Sequence, residues 1–99
     1  MTVTLRPAVQ ADAGFAALCV AAAYAPWIAV IGRKPWPMTQ DYHEVIASDR
    51  VLIAEHDGQP VGLLVTRETA DGVLVDNLAV LPECKGQGIG RQLLERAEQ

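Results

Sequence analysis

The sequence predicts one α/β (α+β) domain, spanning residues 1–99, in which a mixed, mainly antiparallel sheet is flanked by helices in the order β-α-α-β-β-β-α. Three observations carry that expectation. Short apolar runs of strand character recur at residues 2–6, 51–55, 60–66 and 73–80. Asp57-Gly58, between the second and third runs, is a strong hairpin signal and makes those two strands antiparallel. Helical spacing appears at 13–24 and 89–98, with a shorter helix at 40–47.

Each element has a local cause. Thr2-Val3-Thr4-Leu5-Arg6 alternates with period two, and Pro7 stops it. Asp12 stands where it can cap the first helix, whose inner face reads Phe15, Leu18, Cys19 and Ala22. Pro26, Gly32, Pro35 and Pro37 make 26–38 a loop that carries Trp27, Ile28, Ile31 and Trp36. Thr39 then caps the short second helix. Ala70-Asp71-Gly72 turns the chain into 73–80, a nearly continuous apolar run of the kind covered on both faces. Past Pro82, Lys85-Gly86-Gln87-Gly88-Ile89-Gly90 leads into the last helix, with Leu93, Leu94 and Ala97 as its apolar stripe. That helical pattern is still running at Ala97-Glu98-Gln99, with no capping residue.

Composition narrows the function. Apolar residues make up 51% of the chain and charged residues 20%, which excludes an intrinsically disordered chain. A net charge of −4 argues against a nucleic-acid binder, because neutralising phosphates needs a basic face. Cys19 and Cys84 lie far apart without a CxxC, so they form neither a disulfide framework nor a zinc set. The expectation is a reduced, cytoplasmic protein without a metal. Residues 13–32 carry no charge and are long enough to span a bilayer. Yet the run is rich in alanine, follows Asp12 and is interrupted by Pro26. As a signal peptide it has too thin a basic region, and Pro26 would follow a cut at Ala23-Tyr24-Ala25. It reads as a buried helix plus a loop, with no membrane partner.

The chemistry lies between Leu78 and Arg91. A strand runs into a loop with glycines at 86, 88 and 90, and then into a helix. Glycine lets backbone approach a ligand without a Cβ in the way. The first N–H groups of the helix have no helical partner, and the helix dipole favours an anion there. Lys85 and Arg91 add positive charge, so the segment is a candidate phosphate or pyrophosphate cradle. It is not a P-loop, which needs G-x-x-x-x-G-K-[ST], nor a G-x-G-x-x-G dinucleotide turn.

The spacing that is present, Lys85-x-x-Gly88-x-Gly90, closely resembles the signature of the GNAT N-acetyltransferases. That signature reads Arg or Gln, two residues, Gly, one residue, then Gly or Ala, between the fourth strand and the third helix. Lys85 is a conservative departure from it. Leu78-Ala79-Val80 before the turn and Gly90-Arg91-Gln92-Leu93-Leu94 after it are also similar to the family. The order of elements resembles the family's first two-thirds, so the resemblance covers the whole chain.

The resemblance implies an acyl-CoA N-acyltransferase-like fold with acetyl-CoA as cosubstrate. It implies transfer of acetyl to a primary amine of a small molecule or protein, by direct attack of the amine on the thioester. By position, the backbone of Leu78, Ala79 and Val80 would hold the pantetheine arm and the thioester. Lys85, Gly86, Gln87, Gly88, Ile89, Gly90 and Arg91 would hold the pyrophosphate. The loop and second helix would shape the acceptor pocket, with Tyr24 and Arg33 meeting substrate and Trp36, Met38 and Tyr42 nearby. Trp27 and Ile31 read more simply as packing over the sheet. Asp76 and Asn77 interrupt an apolar strand close to the thioester region. They are the candidate base or water-holder, or else a polar patch beside a turn. Glu55 is a further proton-relay candidate, more simply a solvated strand end. His43 and His56 read as solvated, and Cys84 as an incidental thiol.

The family's later elements include another strand, a helix and a final strand pair. They also carry the tyrosine that commonly protonates the departing thiolate. The expectation is therefore a fragment or truncated product whose 99 residues alone acetylate poorly. Two rival functions remain open at this point, a non-catalytic CoA-binding module and an interaction protein that uses an exposed sheet edge. A bare edge along 73–80 leads to the expectation of a homodimer.

Overall fold

In the computed structural model, which describes residues 2–97, the chain runs β1 (Thr4–Pro7), α1 (Ala13–Ile31), α2 (Tyr42–Ser48), β2 (Arg50–His56), β3 (Gln59–Thr69), β4 (Gly72–Val80) and α3 (Ile89–Ala97). Short 3-10 turns at Gln10–Asp12, Trp36–Thr39 and Pro82–Cys84 join them. The four strands form one sheet in the order β1-β2-β3-β4, and every pairing among the described residues is antiparallel. This is the antiparallel sheet with flanking helices that the sequence predicts. Asp57 and Gly58 both have positive φ, at 52° and 77°, the backbone of a tight hairpin turn that matches strand twist.

Period-two alternation sorts the sheet's side chains onto two faces. Val51, Ile53, Leu63, Val65 and Ala79 pack under α1 and α2. Leu52, Ala54 and Leu64 pack with Ile89 and Leu93 of α3 on the other face. Residues 51–54 and 61–66 are buried throughout, which fits strands covered on both sides.

Four sequence expectations are corrected. First, α1 does not end at Tyr24 but runs through Pro26 to Ile31, so 26–31 is helix and not loop. Proline fixes φ near the helical value and removes one hydrogen bond, which the alanine-rich flanks tolerate. The helix stops at Gly32, whose φ of 75° is left-handed and whose N–H donates to Ile28 O at 2.9 Å. Second, the inner face of α1 is Ala13, Ala16, Cys19, Val20 and Ala23; of the predicted face, Cys19 is buried, Phe15 packs against the core and Ala22 is half-buried, while Leu18 points to solvent. Small residues bring the helix close to the sheet. By length and composition Gln10–Ile31 is apolar enough to cross a membrane, and here its small-residue stripe lies on the sheet. Third, Asp41 and not Thr39 caps α2, accepting from the His43 N–H at 3.0 Å. Thr39 instead donates to Trp36 O. Fourth, Val73, Leu74 and Val75 are 44–49% exposed, because the β3–β4 hairpin extends past both helical layers. In α3 Ile89 and Leu93 are buried and Ala97 packs against the same cluster, so the predicted stripe holds at Leu93 and Ala97, with Leu94 turned outward; Glu98 lies outside the described residues.

Asp12 does more than begin a helix. Its carboxylate takes a two-pronged hydrogen bond from Arg6, Nη1 to Oδ2 and Nη2 to Oδ1, both at 2.8 Å. It also accepts the Val9 N–H at 2.8 Å. Arg6 Nε reaches Glu55 on β2 at 3.3 Å, so Glu55 is a structural ion-pair partner on the side of the sheet away from β4. The Arg6 hydrogen bonds hold the largely buried Asp12 carboxyl below its ordinary 3.8. A depressed carboxylate pKa stabilises the fold above the unfolded value and loses that contribution as pH falls through the folded value. Asp12→Ala is expected to cost about 2–3 kcal/mol, since it leaves a partly buried guanidinium without its main partner. Urea midpoints measured from pH 7 down to pH 2 check it. The gap between wild type and variant should narrow below pH 3.8; a gap independent of pH would contradict the linkage.

Candidate functional site

The site is built where β4 hands over to α3. Gly86 and Gly88 both sit at φ 80°, a region that suits glycine and strains other residues. A Cβ on Gly88 would meet no protein atom within 4 Å, so the position faces open space. Gly90 has ordinary helical backbone, and a Cβ there would touch Leu78 Cδ2 at 3.6 Å. Ile89 and Leu93 are buried in the core and fix how α3 starts. The first N–H groups of α3 therefore open, without helical partners, at a fixed point beside the exposed Lys85 and Arg91.

That point is one end of a cleft of about 360 Å³. Its sheet-side wall is Leu78 and Val80 of β4, its floor Cys84 to Gly86 and Gly88 to Gly90, and its far wall Ala23, Tyr24 and Trp27 of α1. Of the residues the sequence selects for a cofactor, Leu78, Val80, Lys85, Gly86, Gly88, Ile89 and Gly90 line this cleft. Ala79 turns its side chain into the core under α1. Gln87 and Arg91 flank the cleft in the turn and first turn of α3. Sequence reasoning missed Ala23 and Trp27 as walls, although with Tyr24 they fall at helical spacing once Pro26 is allowed inside the helix.

Two residues before Leu78, outside this cleft, β4 carries a bulge. Val65 pairs with Asn77 but Thr66 pairs with Val75, leaving Asp76 unmatched. Asn77 is buried and its amide is committed: Tyr24 Oη donates to Oδ1 at 3.0 Å, and Nδ2 donates to Tyr42 Oη at 2.9 Å. Tyr42 Oη in turn donates to Pro37 O at 2.6 Å, and Tyr24 Oη also lies 3.3 Å from Leu78 O. Burial raises the pKa of both phenols, that of Tyr42 to about 12. Asp76, its side chain nine-tenths buried, accepts from Arg67 Nη2 at 2.5 Å. Asp76 and Asn77 open onto a second pocket of about 40 Å³, shared with Trp36, Gln40, Tyr42, Asp49 and Arg67.

The other singled-out residues scatter. Arg33 and Ile31 are exposed beyond the cleft, and Met38 packs against the helix-side core. His43 pairs with Gln10, and His56 with Asp57 and Thr2 O. Cys19 is buried, and desolvation, with Cys84 and Glu83 nearby, pushes its thiol up to about 12. Cys84 is free and half-buried at the cleft wall. Among the described residues no three His, Cys, Asp or Glu side chains gather as a metal site.

With that geometry the relatives can be read. The acetyltransferase (GNAT) domain family matches residues 47–99, just over half of the chain. The chain belongs to the GNAT acetyltransferase family. The matched half holds β2, β3, β4, the glycine turn and α3. Among solved structures, the chain is similar to a PaiA N-acetyltransferase from Thermoplasma acidophilum in complex with coenzyme A, at TM-score 0.83 and 19% identity, over 99% of this chain and 70% of that one. It is similar to a ribosomal-protein-alanine N-acetyltransferase from Brucella melitensis at TM-score 0.68 and 20% identity, over 96% of this chain and 68% of that one. An N-acetylglutamate synthase from Neisseria gonorrhoeae, complexed with coenzyme A and N-acetyl-glutamate, matches at TM-score 0.66 and 23% identity, over 97% of this chain and 22% of that one. At these identities the likeness to solved structures is one of fold.

The two glycine positions separate backbone strain from ligand contact. Gly88→Val places a β-branched residue at positive φ and is expected to lose about 1–3 kcal/mol of stability together with coenzyme A binding. Gly90→Ala keeps helical backbone and is expected to gain about 0.5–1 kcal/mol while still binding coenzyme A. Thermal melts paired with calorimetric titration of coenzyme A check both. Full-affinity binding by a folded Gly88→Val variant would remove the turn from the cofactor site.

Proposed function

We propose that this GNAT domain is an N-acetyltransferase that moves acetyl from acetyl-CoA to a primary amine of a small molecule or protein, by direct attack of the amine on the thioester. One observation carries the reading. A cleft runs from the positive-φ glycine turn along Val80 and Leu78 to Tyr24, and a second pocket opens on the same strand at the bulge of Asp76. The two call for different chemistry, anion binding at the turn and proton handling at the bulge.

The residues present fit acetyl-CoA. The backbone of Gly86, Gly88 and the start of α3, with Lys85 and Arg91, suits a pyrophosphate. The free edge of β4 beside Leu78 and Val80 offers N–H and C=O groups to an amide-bearing arm. Acetyl-CoA supplies the activated acyl group; the protein binds, orients and moves protons. Asp76 is proposed to take the proton that the acceptor ammonium sheds, with Arg67 fixing the carboxylate's orientation. Asn77, its amide spanning two tyrosines, is proposed as a positioning residue that holds Tyr24 against Leu78. The second pocket carries Asp49 and Asp76 beside the Trp36 ring, which suits a cationic amine.

Acetylation of an amine panel, read as thiol release, tests this reading. Asp76→Asn should lower kcat about 100-fold while coenzyme A affinity stays unchanged. An unaltered rate would remove Asp76 as the base. Tight coenzyme A binding without turnover of any amine would favour the non-catalytic binding module.

A further inference from the structure

We propose, on the acetyl-CoA reading of the cleft, that the Tyr24 phenol is the end wall of that cleft and limits the acyl group it accepts to acetyl. With the pyrophosphate at the glycine turn and the arm along Val80 and Leu78, the thioester arrives where Tyr24 of α1 meets β4. There the Tyr24 hydroxyl donates to Asn77 Oδ1 at 3.0 Å and lies 3.3 Å from Leu78 O. Tyr24 lines the cofactor cleft, whereas Asn77 and Tyr42 line the second pocket. The hydrogen-bonded chain from Tyr24 through Asn77 to Tyr42 is therefore a partition between the two cavities.

The partition is held from both sides. Tyr24 follows Ala23, which packs in the core, so the backbone that carries the phenol is fixed against the sheet. Asn77 is 4% exposed, and both ends of its amide are taken, one by each tyrosine. Swinging the phenol aside leaves Asn77 Oδ1 buried without its donor. In an unobstructed apolar cleft each added methylene of an acyl chain strengthens binding, because more apolar surface leaves water. A fixed wall reverses that sign, since the longer chain has to displace the phenol. An apolar tail also cannot replace the hydrogen bonds it would break. The amine has no need to cross this wall, because the cleft is open on its solvent side.

Calorimetric titration of the purified protein with coenzyme A and with its acetyl, butyryl and hexanoyl thioesters tests the proposal without requiring turnover. Wild type is expected to bind hexanoyl-CoA about tenfold more weakly than acetyl-CoA, with butyryl-CoA between them. Tyr24→Ala removes the wall, and should bind hexanoyl-CoA at least as tightly as acetyl-CoA. Tyr24→Leu shortens the wall with a residue that suits a helix, and should show the same loss of discrimination if the alanine variant folds poorly. Wild-type affinity that stays level or rises from acetyl to hexanoyl overturns the wall. So does wild-type discrimination in a folded Tyr24→Ala or Tyr24→Leu variant. In both cases coenzyme A binding keeps the cofactor reading. Folded wild type that binds no coenzyme A overturns that reading, and the wall with it.

Discussion

A single buried amide, that of Asn77, ties three separate pieces of chain to the strand that walls the cleft. Its oxygen takes the hydroxyl of Tyr24 from α1, and its nitrogen gives a proton to Tyr42 of α2, which reaches on to Pro37. Each of these groups is poorly solvated, so removing one member leaves a buried partner unsatisfied, at a cost of about 1–3 kcal/mol. The network therefore behaves as a unit. It sets the height of both helices above β4, and with it the width of the cleft between Tyr24 and Leu78. No buried side-chain nitrogen or oxygen is left without a partner among the described residues, so the layer is fully specified by polar contacts as well as by packing.

That unit explains why α1 outlasts its proline. A helix interior normally loses about 3 kcal/mol to proline. Here the turn before Pro26 is anchored by the Tyr24 hydroxyl and by Ala23 in the core, while the turn after it places Trp27 on the cleft. Ending the helix at Tyr24 would free the residue that Asn77 holds. Proline's local rule predicts a loop, and tertiary contacts override it. The stop signal that does operate, Gly32, is plainly visible in the sequence, and weighing it above Pro26 would have given the right boundary.

What could be read in advance was whatever local chemistry decides. The Asp57-Gly58 turn, the buried runs of β2 and β3, and the glycine turn before α3 each follow from a few adjacent residues, and each is where the sequence puts it. Contacts between distant segments were not legible. Asp76 and Asn77 stand out as polar residues in an apolar strand, but nothing nearby in sequence says that one meets Arg67 and the other meets tyrosines 35 and 53 residues away. The face of α1 shows a related limit. Leu18 is larger than Ala16 or Ala23, yet it points to solvent while those alanines are buried against the sheet, a placement that side-chain size alone does not predict.

Net charge is an equally poor guide to the cleft, because the charges are unevenly placed along the chain. From residue 13 to residue 40 there is no Asp or Glu, and the charges present are Arg33 and Lys34. Residues 77–82 carry no charge at all. Both walls of the cleft come from these two stretches, and its floor adds Lys85. Most carboxylates lie elsewhere: Asp41, Glu44 and Asp49 around α2, Asp57 at a hairpin tip, Glu68 and Asp71 at the far end of the β3–β4 hairpin, while Glu83 stands beside Cys84 and Lys85. At physiological salt the screening length is about 8 Å. Over that distance a phosphate at the start of α3 responds to Lys85, Arg91, the helix dipole and unpaired N–H groups far more than to the chain's sum of −4. The acidic total therefore bears on an extended charged face and not on a compact anion site, because the two would depend on charge at different length scales.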